Sequence, residues 1–130
     1  MRRIVVDTSV IAAIAFGEPD GPQWGFLLEG AQLFAPTLLQ YELSSVARKK
    51  CRQHPGQLRQ ILLGLDLALD PKRGITWMDP NPVDVVVLSN ATGLSSYDAS
   101  YLWLAGFLEA DLVTRDQELV AAHDVLAAGR

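Results

Sequence analysis

The sequence predicts an α/β fold, with a short, mostly parallel sheet covered by helices on both faces. Two observations predict it. Brief apolar, β-branched runs alternate along the whole chain with stretches of helical periodicity, and no two of these runs are joined by a hairpin turn. Strands that succeed one another without hairpins need crossovers, and crossover helices cover the faces of a parallel sheet.

The first run, Ile4-Val5-Val6 within residues 3–6, reads as a buried strand that stops at Asp7. SVIAAIAF, 9–16, reads as a helix ended by Gly17, and GEPDGP, 17–22, as a loop rich in turn residues. QWGFLLEG, 23–30, predicts a second short helix closed by Gly30, and QLFA, 32–35, a second strand. Pro36 suits a first helical turn, and TLLQYELSSVARKKCRQ, 37–53, continues that helix. There Leu39, Leu43, Val46 and Ala47 share a face at three- and four-residue spacing. His54-Pro55-Gly56 breaks the helix, and Leu58, Ile61, Leu62, Leu65 and Leu69 form another apolar stripe. GITWMD, 74–79, is a third strand, and residues 82–92 a helix closed by Gly93. Ser96 is placed to cap SYDASYLWLAGFLEA, 96–110, in which Ala99, Leu102, Trp103, Gly106 and Phe107 lie on one side. DLVT, 111–114, is a fourth strand, followed at once by a last helix over 115–128.

The totals bound the function. A chain of 130 residues suits one domain, 1–130, and its 49% apolar content suffices for a core. The net charge of −4 gives no global basic footprint for nucleic acid, although carboxylates that hold metal also count toward that sum. A lone cysteine, Cys51, forms no internal disulfide, and Asp7 interrupts the apolar start that a signal peptide needs. With no apolar stretch of membrane-spanning length, the expected location is the cytoplasm.

Four acids fall in informative places. Asp7 and Asp116 stand just past the ends of the first and fourth strands, where ligands bind in open parallel sheets. Asp98 lies in a first helical turn, and Glu42 sits beside the Leu39/Leu43 face of its helix. Taken singly, Asp7, Asp98 and Asp116 also read as helix caps or first-turn acids, and Glu42 as a solvent-facing side chain. Gathered at one sheet edge, they repel, and such a cluster needs a cation or raised pKa values. A set of oxygen ligands without His or Cys suits Mg²⁺ or Mn²⁺ rather than zinc. His54 and His123 sit in polar contexts that suggest a loop residue and a helix-surface residue.

Asp7-Thr8-Ser9, Glu42, Ser96-Tyr97-Asp98-Ala99 and Thr114-Arg115-Asp116 together resemble a PIN domain, most closely the VapC-like toxins of bacterial toxin–antitoxin pairs. The stretch ATGLSSYDASYLWLAGFLEADLVTRDQEL, 91–119, carries most of the likeness, and VVDTSVI the rest. The resemblance implies a three-layer α/β/α fold and metal-dependent endoribonuclease activity. It assigns catalysis to Asp7, Glu42, Asp98 and Asp116, and Mg²⁺ or Mn²⁺ to Asp7, Asp98 and Asp116, directly or through water. Glu42 then orients the nucleophile or completes the metal shell, and Thr114 with Ser9 or Thr8 supports the carboxylates. It also implies an antitoxin partner that wraps apolar and basic side chains over the site, and a homodimer. The helix around Trp24, Phe26 and Leu27 and the Leu39/Leu43 face offer apolar surface for that partner.

Arg48, Lys49, Lys50, Arg52 and Arg59 form one basic cluster and Arg115 stands beside Asp116, which makes them candidates for contacting RNA phosphates. A solvated helix end explains the cluster equally well. Other strand-end aspartate enzymes fit poorly. A haloacid-dehalogenase-like phosphatase needs an aspartate two residues after the first, where this chain has Ser9, and the acid set of a receiver domain is missing. The alternative from another class is a non-catalytic binding domain whose acids hold a structural ion.

Overall fold

β1 (Arg3–Val6) lies inside a four-stranded sheet of order β3-β2-β1-β4, with β2 at Gln32–Ala35, β3 at Ile75–Trp77 and β4 at Asp111–Val113. This computed structural model describes residues 1–129. Every pairing is parallel, and β1 joins β2 and β4 through Ile4↔Leu33 and Ile4↔Asp111. Ile4, Val5 and Val6 are buried on both sides, which is why this strand is continuously apolar rather than alternating.

The helices are α1 (Thr8–Ala15), α2 (Gly21–Leu28), α3 (Leu38–Gln53), α4 (Leu58–Leu69), α5 (Pro82–Thr92), α6 (Ser96–Leu108) and α7 (Gln117–Ala128). Single turns of 3₁₀-helix at Pro55–Gln57 and Pro71–Arg73 mark the two breaks around α4. On α3 the expected face is the buried one, with Leu39, Leu43 and Ala47 enclosed and Val46 at its edge. No helix among the described residues is long and apolar enough to cross a membrane.

Several local expectations are corrected. α2 starts at Gly21, ahead of Gln23, because Pro22 is accommodated in the first turn, where its missing N–H is not needed. Ser95, not Ser96, caps α6: its Oγ accepts the Asp98 N–H at 3.1 Å. The leucine stripe of α4 is covered only in part. Ile61 is buried and Leu65 and Leu69 pack half-buried against the core, where α4 meets α1 and α3, while Leu58 and Leu62 are exposed. On α6 the buried positions are Ala99, Tyr101, Leu102, Leu104 and Ala105. This helix packs on both β1 and α5, so burial runs wider than one stripe, and Phe107 is left outside, stacked on Trp103 with centroids 5.0 Å apart.

Candidate metal centre

Strand order places the site. The chain runs from β1 outward to β2 and β3, then returns to add β4 on the other side of β1. The strand order therefore reverses between β1 and β4, and a crevice opens beyond their carboxyl ends. Asp7 leaves β1 at this point, with its N–H bonded to the Val113 carbonyl at 3.0 Å.

Asp7 holds the N-cap position of α1, yet its side chain makes no capping bond. The carboxylate, 9% exposed, instead accepts two hydroxyls on Oδ2, from Ser9 at 2.8 Å and from Thr114 at 2.9 Å. Each hydroxyl is aimed by a backbone N–H that it accepts: Arg115 N–H to Ser9 Oγ at 3.1 Å and Asp116 N–H to Thr114 Oγ1 at 3.0 Å. Both protons are thereby committed to Asp7 Oδ2, and Oδ1 has no hydrogen bond among the described residues. Asp79 at the end of β3 shows the contrasting structural use, because its carboxylate takes the N–H and hydroxyl of Thr37 at the start of α3. Asp116 does cap: its Oδ1 accepts Glu118 N–H at the start of α7.

Glu42 is held by hydroxyls too. Its Oε1 accepts Thr8 Oγ1 at 2.9 Å and Tyr101 Oη at 2.6 Å, and the two hydroxyls are 2.7 Å apart. The supporting roles of Thr8 and Ser9 thus divide, with Ser9 supporting Asp7 and Thr8 supporting Glu42. Sequence reasoning missed Tyr101. A tyrosine within an apolar helical run reads as core, and only its spacing of three from Asp98, which puts both on one helix face, marks it out.

Asp7, Glu42 and Asp98 line one cleft of about 630 Å³ together with Arg48, Lys49 and Arg52. Asp116 stands beside them. The Asp98 carboxyl is pushed above its ordinary range, first by burial and then by the negative charges of Asp116, Asp7 and Glu42, partly offset by the Ser95 hydroxyl. Asp98 therefore feels the other three acids, and among the described residues none of the four is ion-paired to a Lys or Arg side chain. Nor do three of them close into a ready-made chelating cage. Uncompensated oxygen donors, spaced apart and lacking His or Cys, fit a hard divalent ion that keeps part of its water shell.

The remaining cations divide. Arg48, Lys49 and Arg52 line the cleft, one to three turns beyond Glu42 on α3. Lys50 does not: it pairs with Glu18 at 3.1 Å and lies over the Phe16 ring. Arg115 pairs with Glu18 at 2.6 Å and Asp20 at 3.3 Å. Both are corrected from free phosphate ligands to clamps on the loop between α1 and α2, which supplies their acids. Arg59, exposed on α4, is not among the residues of the cleft. Trp24 is half-buried and donates its indole N–H to Asp20, and His123 Nε2 is 3.3 Å from the Ala110 carbonyl.

Comparison with known proteins places this geometry. The PIN domain family matches residues 4–124. The chain belongs to the PIN domain family. PIN domains are generally metal-dependent nucleases, which accords with a cation-seeking cluster at the sheet's reversal point. The crystal structure of PAE2754 from Pyrobaculum aerophilum shares the fold, with a TM-score of 0.75 and 24% identity over 98% of this chain and 94% of that one. No curated protein matches the chain.

The crowding of acids in this PIN domain has a thermodynamic signature. For Asp98, the folded state holds more protons than the unfolded one between the ordinary carboxylate pKa and its raised value. Stability contributed by this group therefore falls as pH rises through that window and stays low above it. Asp98→Asn removes the repulsion from three like charges, and loses a first-turn dipole contribution of only about 0.5 kcal/mol. In chelator at neutral pH the variant is expected to melt about 2–4 °C higher than the wild type, with the gap closing toward pH 4. Added Mg²⁺ is expected to raise the wild type more than the variant. Four thermal melts check this, and a lower-melting variant with equal gains from Mg²⁺ contradicts a shared metal site.

Proposed function

We propose that this PIN domain is an endoribonuclease dependent on Mg²⁺ or Mn²⁺, a VapC-like toxin of a type II toxin–antitoxin pair acting in the cytoplasm. The observation that carries the nuclease reading is a cleft lined by three acids without ion-pair partners, Asp7, Glu42 and Asp98, together with the exposed cations Arg48, Lys49 and Arg52. That pairing suits a phosphodiester, since the acids attract metal and the cations attract the flanking phosphates.

Under this reading Asp7, Asp98 and Asp116 would hold a metal ion, directly or through water, and Glu42 would orient the attacking water. A divalent ion bound there would supply an activated water and relief of charge at the scissile phosphate. Ser9 and Thr114 fix the Asp7 carboxylate through Oδ2. Arg48, Lys49 and Arg52 hold the RNA backbone along α3. The purified protein should cleave RNA with Mg²⁺ or Mn²⁺ and not in chelator. Expression of the chain alone should arrest growth, and co-expression of its antitoxin should relieve the arrest.

The antitoxin's surface is revised. Leu39 and Leu43 are wholly buried and unavailable, whereas Phe26 and Leu27 are exposed. Phe26 borders an apolar groove of about 680 Å³ between α2 and α4, which also takes in Ile14 and Leu67. Such a groove suits the apolar face of a partner helix. A homodimer is the assembly the resemblance implies, and the exposed Val83, Val86 and Val87 on α5 give an apolar face for it.

The basic lining is tested by reversing Arg48 and Lys49 to Glu together. Lys50 is a poor choice because it holds Glu18. RNA binding should weaken, and the dependence of log affinity on log salt should flatten by roughly 0.7 for each single-strand phosphate that is no longer neutralised. An unchanged slope reduces the cluster to a solvated helix end.

A further inference from the structure

We propose that Tyr101 is a positioning residue of this centre, whose buried hydroxyl pins Glu42 Oε1 and leaves only Oε2 to the cleft. The inference rests on the nuclease reading above and extends it to a residue that never meets the substrate. Tyr101 is 0% exposed, and its hydroxyl reaches Glu42 Oε1 at 2.6 Å and Thr8 Oγ1 at 2.7 Å. Among the described residues no hydrogen bond is made to Glu42 Oε2.

The bond joins three elements. Thr8 follows Asp7 at the start of α1, Glu42 is on α3, and Tyr101 lies one turn after Asp98 on α6. One phenolic oxygen thus sets the spacing of elements that carry three of the four acids. A glutamate has three side-chain torsions, and in an open, water-filled cleft it would sample several rotamers. A hydroxyl donor from a ring with only two torsions, locked in the core, removes that freedom with little loss of its own. Two hydroxyl protons also serve three short oxygen contacts. Tyr101 donates its own proton to Glu42 Oε1, the shorter of the two contacts to that oxygen, and the Thr8 hydroxyl completes the triangle.

Tyr101→Phe keeps the ring and removes the donor. On a short RNA that the wild type cleaves, kcat should fall by about tenfold or more, with KM within about twofold, because positioning acts on the transition state. If Tyr101 acts through Glu42, Tyr101→Phe in a Glu42→Gln background should change the single-turnover rate by less than about twofold. A separate readout needs no activity. Methylene relaxation of Glu42 in the metal-free protein should report one rotamer in the wild type and averaging in Tyr101→Phe. Full activity in Tyr101→Phe, an equal loss in the Glu42→Gln background, or a Glu42 side chain as ordered as in the wild type each overturns the role. If the wild type cleaves no RNA with any divalent metal, the nuclease reading fails, and the relaxation measurement still decides whether Tyr101 orders Glu42.

Discussion

RNA cleavage by the Asp7→Asn protein is expected to fall by at least on the order of 10³-fold, equivalent to about 4 kcal/mol of lost transition-state stabilisation. The size follows from the position of Asp7. It leaves the central strand at the point where strand order reverses, and two aimed hydroxyls commit Oδ2 so that Oδ1 is presented alone. Asparagine keeps one carbonyl oxygen to accept Ser9 and Thr114, but it carries no charge for a metal. Because the Asp7 side chain makes no capping bond to α1, the helix loses nothing by the exchange. The variant should therefore fold and melt normally, and relief of repulsion from the other acids favours it slightly. The check is a cleavage assay of wild type and Asp7→Asn purified in parallel, each with Mn²⁺ and with chelator. Comparable metal-dependent cleavage by both proteins would sink the assignment of the four acids.

The largest effect on stability is expected at Gly64. In a helix interior, Gly→Ala ordinarily stabilises by up to about 1 kcal/mol, since alanine loses less backbone entropy on folding. At Gly64 on α4 the sign should invert. A Cβ there would overlap the Ala15 carbonyl, which belongs to the last turn of α1 and cannot rotate away. Overpacking against fixed backbone costs about 2–3 kcal/mol and outweighs the entropic gain, so Gly64→Ala should melt roughly 10 °C lower. Gly25 on α2 is the control, because nothing lies within 4 Å of a Cβ built there. Gly25→Ala should be neutral or slightly stabilising. If both variants gain stability, α4 is not held to α1 by close approach at Gly64.

The fold is legible because its strands are short β-branched or apolar runs without hairpin turns, and those features allow few other architectures. Asp7, Glu42 and Asp98, far apart along the chain, come together as soon as the sheet is parallel. What stays hidden depends on encounters between distant segments. Lys50 and Arg115 read as free cations because nothing local shows that Glu18 and Asp20 in the α1–α2 loop swing onto them. Tyr101 disappears into an apolar run because its polar tip meets Glu42, 59 residues away. The α4 stripe is legible in part, since apolar periodicity marks a face that seeks cover without telling how much of it this chain supplies.

The return of β4 to the flank of β1 also fixes when the centre comes into being. Thr114 and Asp7 are separated by 107 residues, and their bond waits on the pairing of β1 with a strand made much later. Contacts of such sequence separation form late, because a long loop must close before they are rewarded. Until β4 pairs with β1, Asp7 lacks the Thr114 hydroxyl and the Asp116 carboxylate, so a chain still under translation presents an incomplete acid cluster.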